Sequence, residues 1–297
     1  MGLVDTSYQP WDGARQGRLR RIAAMARIGI ELSFEGLLTK MILVFAFSGV
    51  IVSLGFLFFV ASLETPWPIA LGNNLYHEYL NSVWYSSLIM LLTAMAGARL
   101  ISRDLRYNAV SMYFSKGITR YDYLAGKFAV IATFLLSATW LPSLVLWVGQ
   151  AGMGKEQITW AQRLGDLGAL TGHALIIVVP ASAAILGLSS LSRTAYVPGI
   201  SWLLVYSGSE AVSGILRRSL RQEWTKLVGW QNLTAHLGRL LYESRPSPFE
   251  GMMRRPRGFY GAPLKYGWVE PAAILAGITV LSLGVVLWRL RKLEAQE

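Results

Sequence analysis

The sequence predicts an all-α membrane protein with six transmembrane helices, and three observations lead there. Of its 297 residues, 53% are hydrophobic and 15% are charged, whereas a soluble domain carries about 25% charged residues. Six apolar stretches are long enough to span, since a hydrocarbon core of about 30 Å takes about 20 residues of helix. Hydrocarbon leaves exposed backbone groups unsatisfied, so runs of this length favour helices.

Composition and motifs exclude several classes of protein. The chain has a net charge of +11, and its Lys and Arg residues cluster beside the apolar stretches. Anionic lipid and membrane orientation account for basic residues in such places, so we expect no nucleic acid partner. The chain has no cysteine and three isolated histidines, which predicts neither a disulfide nor a metal site. Phosphate-binding and hydrolase motifs are absent as well. We therefore expect no enzymatic activity and no cofactor in this chain.

The first 40 residues predict a cytoplasmic tail followed by an amphipathic helix. Between Arg15 and Leu38, apolar residues recur every three or four positions, and charges such as Arg20 and Arg27 fall on another face. A basic amphipathic helix just before a span favours an interfacial position among lipid headgroups, with an ordinary surface helix as the alternative. Because the first apolar stretch begins only near Met41, we expect an uncleaved first span rather than a signal peptide.

The transmembrane domain is predicted over residues 41–288, followed by a short cytoplasmic tail at 289–297. Its spans are 41–63, 82–100, 128–150, 168–191, 196–216 and 268–288. Lys and Arg number six in residues 1–40, six in 99–127 and three in the tail, against two in the loops 64–81 and 151–167 combined. This distribution predicts that both termini are cytoplasmic. The segment 217–267 carries ten Lys and Arg yet is placed outside, which is tolerated because long loops translocate largely regardless of charge.

The outer segment 217–267 contains short leucine-rich stripes, which predict one or two amphipathic or re-entrant helices at the outer surface. Its basic residues are predicted contacts for lipid or for an extracytoplasmic partner: Arg217, Arg218, Arg254, Arg255 and Arg257. Two acids, Glu210 and Glu270, lie near the outer ends of the last two spans. Charges inside a bilayer are costly and therefore candidates for function, although both acids could instead reach the interface or pair with arginine.

Residues 101–127 are too polar to span, and they carry the most specific pattern in the chain. Residues 113–127 read YFSKGITRYDYLAGK. This stretch resembles the cytoplasmic loop of ABC-2 type transporter permeases, the membrane subunits of ABC exporters. In that family, a basic and acidic opening after span two precedes a short helix and a turn that leads into span three. Asp104 stands where the family more often has Glu, and the order of the remaining parts agrees.

The resemblance implies a permease subunit of an ATP-driven exporter in the bacterial cytoplasmic (inner) membrane. Two copies of a separate ABC ATPase would hold the ATP and Mg, and a second permease copy or a sister permease would complete the complex. It assigns ATPase coupling to Arg103, Asp104, Arg106, Tyr107, Met112, Tyr113, Phe114, Lys116 and Arg120. The basic members would pair with acids on the ATPase, while the aromatic residues and Met112 would fill its cleft.

Three questions stay open at the level of sequence. The loop 101–127 could serve only to fix orientation by its positive charge. The chain could also be a non-transporting anchor that transmits ATPase-driven movement to an extracytoplasmic partner. Six spans leave no room for a path inside one subunit, so for a transporter we expect the path at the interface between permeases, lined by spans one, two and five. The identity of the substrate is not encoded in any motif.

Overall fold

The computed structural model describes residues 17–34, 36–62, 79–153, 160–242 and 266–294, and these residues form helices and turns with no strand among them. The α-helices are α1 (Arg18–Phe34), α2 (Leu37–Ser62), α3 (Val83–Arg106), α4 (Ala109–Ser115), α5 (Arg120–Met153), α6 (Trp160–Leu191), α7 (Tyr196–Leu220), α8 (Trp230–Leu241) and α9 (Val269–Glu294). A 3-10 helix, Glu223–Val228, precedes α8. The predicted all-α class is confirmed.

Five of the described helices are long and apolar enough to cross a bilayer, and they indicate a multi-pass membrane protein. These segments are Leu37–Gly55, Val83–Arg106, Arg120–Gly149, Arg163–Leu191 and Val269–Glu294. The predicted span 196–216 is also a continuous helix, α7, of 25 residues. It is not among the five because serine, glycine, Glu210 and two terminal arginines lower its mean hydropathy.

Helix α6 is the centre of the bundle, where it packs against α3, α5, α7, α8 and α9. It approaches α3 closely, since a Cβ added to Gly97 would lie 2.6 Å from the side chain of Ile185. Nearby, the Ser189 hydroxyl donates to the carbonyl of Ala98 at 2.8 Å and accepts backbone N–H groups of Ile101 and Ser102. Small residues and hydroxyl hydrogen bonds hold helices together where water does not compete.

Helix α1 does not stand apart from the bundle but packs along the first half of α5. A Cβ on Gly126 would lie 2.7 Å from the sulfur of Met25, and the rings of Phe34 and Phe134 are 4.9 Å apart. The predicted amphipathic helix therefore uses one apolar face for docking. A second set of apolar side chains, Leu19, Ile28 and Leu32, remains exposed.

The described part of the predicted outer segment is the 3-10 helix followed by α8, and α8 is inserted into the bundle. It packs against α6, α7 and α9, and Leu233 and Leu237 form a buried cluster with Leu275 of α9. The prediction of a short amphipathic helix at 217–267 agrees with α8, although α8 is more buried than a surface helix would be. Arg254, Arg255 and Arg257 lie outside the described residues.

Candidate functional site

The predicted coupling segment is a short helix between two turns that its own residues specify. Helix α3 ends before Asn108, whose φ of 52° is left-handed, a conformation that asparagine tolerates better than most residues. Helix α4 then runs for seven residues and ends before Gly117, which has φ 72° and so favours glycine. The Thr119 hydroxyl accepts the N–H of Asp122 at 3.2 Å and caps the start of α5.

A buried ion pair joins the end of α3 to the start of α5. Lys127 Nζ lies 2.6 Å from Asp104 Oδ2, and the two side chains are 9% and 15% exposed. The same carboxylate oxygen accepts the hydroxyl of Tyr123 at 2.7 Å. Buried charges are tolerated when they are paired and hydrogen-bonded. This cluster of Asp104, Tyr123 and Lys127 therefore fixes the two helix ends relative to each other.

The side chain of Tyr113 connects α4 to this cluster. Its ring centroid is 5.6 Å from that of Tyr123, and Lys127 Nζ lies 5.9 Å from the Tyr113 ring, within range of a cation–π attraction. Burial, reinforced by the negative charge of Asp104, raises the pKa of the Tyr113 hydroxyl. A neutral tyrosine thus packs the short helix onto the ends of α3 and α5.

Three further contacts bring the N-terminal helix and the C-terminal helix to the same place. Arg18 Nε lies 2.5 Å from Asp122 Oδ1, and Arg21 donates to the carbonyl of Gly117 at 2.8 Å. Arg120 Nη1 lies 3.5 Å from Glu294 Oε2 at the end of α9. We call this region, comprising residues 18–21, 103–127 and 289–294, the basic end of the bundle.

The predicted coupling residues separate into two sets. Those that stay exposed on the basic end are Arg103, Arg106, Tyr107, Met112 and Lys116. Those that are partly buried and held by the bundle are Asp104, Tyr113, Phe114 and Arg120. Within the described chain, the guanidinium of Arg103 and the ammonium of Lys116 make no hydrogen bond or ion pair, so both charges face outward. The partly buried residues therefore hold the backbone that carries the exposed residues.

Glu210 has a structural role at the opposite end of the bundle. Its Oε1 accepts the backbone N–H groups of Gln231 and Asn232 at 2.6 and 3.1 Å, and its Oε2 accepts the Asn232 side chain at 3.0 Å. A carboxylate at a helix N-terminus satisfies free donors and complements the helix dipole. Glu210 therefore anchors α8 to α7. Glu270 is exposed in the first turn of α9.

Two basic residues near this end differ in exposure. Arg218 is exposed, which leaves it available to lipid or to a partner, whereas Arg217 is partly buried. No group of three or more metal-ligating side chains comes together in the described ranges.

Sequence reasoning selected the exposed residues of the basic end and part of the set that holds it, including Asp104 and Tyr113, but it left out the partners of that set. Lys127 was not selected, and neither were Tyr123 and Asp122. One signal was present, because Lys127 comes directly before the apolar run 128–150, where a charge is costly unless it is paired. Its opposite charge on Asp104 was visible too, but their contact depends on how α3 and α5 pack.

Comparisons with known protein families and with curated proteins give no match for this chain.

Proposed function

We propose that this chain is the permease subunit of an ATP-driven ABC exporter and that the basic end docks on a separate ATPase. The observation that carries the proposal is the division within residues 103–120. The outward-facing side chains lie at the end of α3 and along the turn, short helix and turn that follow it: Arg103, Arg106, Tyr107, Met112 and Lys116. The Asp104–Lys127 pair fixes the end of α3 to the start of α5, and Tyr113 packs α4 onto that pair. A partner that pushes on such an element moves α3 and α5 together, whereas a loose basic loop would absorb the push.

The chemistry of the exposed surface suits an acidic cleft with an apolar floor. Arg103, Arg106 and Lys116 supply positive charge, which speeds association and fixes orientation. Tyr107 and Met112 are 66% and 55% exposed, and large side chains of this kind act as anchors when a partner buries them. ATP and Mg would belong to the ATPase, so this chain contributes binding and movement rather than chemistry.

The proposed topology has six spans with both termini in the cytoplasm of a bacterial inner membrane. Its support comes from the helix ends. Arg18 and Arg21 of α1 and Glu294 of α9 all contact residues 117–122 between α4 and α5. At the other end, α8 meets the start of α3 through a hydrogen bond from Gln231 to the carbonyl of Asn81. Helix α7 leads from the turn after α6 to the 3-10 helix before α8. It therefore runs between the two ends as the five apolar helices do.

A dimer of permeases completes the proposal. Helix α2 and helix α7 expose apolar side chains along most of their length, including Val44, Ile51 and Leu204. Both helices pack on α3, so spans one, two and five border one common face. A second copy or a sister permease placed against this face would enclose a path that one subunit lacks.

The decisive experiment separates the exposed set from the set that holds it. The chain would be co-expressed with an ABC ATPase of its own organism, purified in lipid, and assayed for bound ATPase and for substrate-stimulated hydrolysis. We expect Arg106→Glu with Lys116→Glu to abolish ATPase binding while the thermal midpoint of the permease is unchanged. The matched control, Arg218→Glu with Arg221→Glu, removes two exposed arginines at the opposite end and should bind normally.

Each other outcome has a definite meaning. If the double variant binds the ATPase as well as wild type does, the basic charges only set orientation and the docking proposal fails. If the ATPase binds and hydrolyses ATP but no substrate moves, while an extracytoplasmic protein co-purifies, the chain is a membrane anchor rather than a permease.

A further inference from the structure

One row of side chains on α3 stays accessible although most of this helix is buried. The row consists of Trp84, Ser87, Leu91, Met95, Arg99 and Arg103. Its members are spaced by three or four residues, so they follow one another along the same side of the helix. The row is apolar or uncharged through Met95 and then becomes cationic. It covers about 28 Å at 1.5 Å per residue.

Helices α2 and α7 stand on the two sides of this row. The ring of Trp84 is 6.4 Å from that of Phe45 on α2, and the indole of Trp202 on α7 donates to the carbonyl of Met90 at 3.0 Å. Both helices pack on α3, and neither makes an extensive contact with the other. The row is therefore the floor of a groove, which we call the α3 groove, and exposed Phe45 lies on its α2 side.

Arg99 is the unusual member of the groove. It lies about 10 Å inward from the helix end at Arg106, it is exposed, and it makes no hydrogen bond or ion pair within the described residues. The nearest acid on α3, Asp104, is already bound by Lys127 and Tyr123. Arg99 also stands next to the last residue of the predicted span 82–100, at the level of the lipid headgroups. An anionic headgroup at that level can pair with a guanidinium.

We propose that the α3 groove binds an anionic membrane lipid, with the headgroup at Arg99 and one chain along Met95 and Leu91. The apolar floor selects a ligand with a hydrocarbon part, so a free anion would use only half of the site. From Arg99 to Trp84 the floor runs about 22 Å, which exceeds the half-thickness of about 15 Å of the hydrocarbon core. Arg103, one turn further, adds attraction at the mouth.

One part of the inference rests on the proposed permease function, namely that the ligand of the groove indicates the class of molecule that the transport path accepts. Spans one, two and five border both the α3 groove and the face that a second permease would cover. A substrate with an anionic head and an apolar tail could enter from the leaflet at the basic end. The binding site itself requires neither the ATPase nor a second permease.

The test is lipid photocrosslinking on the full chain without any ATPase. A benzophenone amino acid replaces Leu91, the protein is placed in nanodiscs containing equal amounts of phosphatidylglycerol and phosphatidylcholine, and crosslinked lipid is identified by mass spectrometry. We expect phosphatidylglycerol to be favoured and Arg99→Gln to lower that preference about fivefold, the factor for one charge near an anionic surface. Arg99→Lys should retain most of it.

The matched control is Arg20→Gln, which removes one exposed charge from the same end but from α1. It should leave the preference unchanged. Equal crosslinking of both lipids, or an effect of Arg20→Gln as large as that of Arg99→Gln, would overturn the site. The crosslinker at Met95 repeats the test if the first position folds poorly. Since no ATPase is present, loss of ATPase docking and loss of lipid binding are separate results.

Discussion

At the scale of single residues, the Asp104–Lys127 pair determines whether the basic end is one rigid piece. The pair holds α3 to α5, and its carboxylate also accepts Tyr123. Such a pair is weak evidence for stability by itself, since two well-packed neutral side chains can do as well. We expect its effect to be specificity, because the two opposite charges meet only when α3 and α5 pack in this arrangement.

We expect Lys127→Met to lower the free energy of unfolding by about 3 kcal/mol, because Asp104 is left buried with one partner. The apparent midpoint of thermal unfolding in nanodiscs, at a fixed heating rate, measures the loss. The double variant Asp104→Asn with Lys127→Met should recover part of the stability, since no charge is stranded. Arg103→Gln is the control, because it removes a charge next to Asp104 that is exposed rather than buried. A loss as large in the double variant as in Lys127→Met would show that the pairing contributes little.

The residue scale is also where sequence reasoning reached its limit. The exposed set of the basic end could be selected because coupling was expected at a polar loop between two apolar stretches. Contacts between distant residues could not, since Arg18 and Asp122 are 104 positions apart and meet only after α1 packs on α5. A single sequence shows that a charge lies in an apolar run, but it does not show which opposite charge will lie beside it.

At the scale of elements, the helices were predictable and their burial was not. Apolar stretches of spanning length located the long helices to within a few residues at most ends, but α5 and α6 each begin eight residues before their predicted starts. Helix α8 is the contrary case. Its pattern predicts an amphipathic or re-entrant helix at the outer surface and does not distinguish the two. The helix is held inside the bundle, because Glu210 caps its first turn and Gln231 donates to Ser86 at 2.9 Å.

Close approach at Gly229 makes the docking of α8 specific. A Cβ at this position would lie 2.7 and 2.9 Å from the two carboxylate oxygens of Glu210. We expect Glu210→Gln to weaken the cap by about 1 kcal/mol, because the amide keeps one acceptor and loses the charge that favours a helix N-terminus. Hydrogen exchange at the amides of Gln231 and Asn232 should then be about fivefold faster.

The matched control for that exchange experiment is Glu270→Gln, which neutralises the other predicted acid. Glu270 is exposed at the start of α9, so its loss should leave the amides of α8 unchanged. An exchange rate at Gln231 that does not respond to Glu210→Gln would mean that apolar packing alone holds α8. Glu210 would then have no structural role in holding α8, and it would remain a candidate for function.

At the scale of the whole molecule, the two ends differ in how their charge is organised. The basic end gathers α1, α4 and the end of α9 around ion pairs that link distant parts of the chain. The other end holds Arg218 and Arg221 exposed, and an ion pair described there, Lys226 with Glu223, joins near neighbours. Lateral surfaces between the ends are apolar along α2, α7 and α9, as lipid or a second subunit requires.

Helix α7 decides the topology, because its polar residues leave it outside the five helices that qualify as spans by apolarity. We expect it to cross nonetheless, since several of its polar residues are satisfied within the protein. The Ser213 hydroxyl donates to the carbonyl of Thr225, Ser209 accepts the N–H of Trp230, and Glu210 caps α8. The chain contains no cysteine, so single cysteines report position cleanly. Ser115→Cys and Ser219→Cys should react with a membrane-impermeant maleimide from opposite sides of sealed vesicles. Labelling of both from one side would mean that α7 does not cross, and the charge-based orientation of the last span would reverse with it.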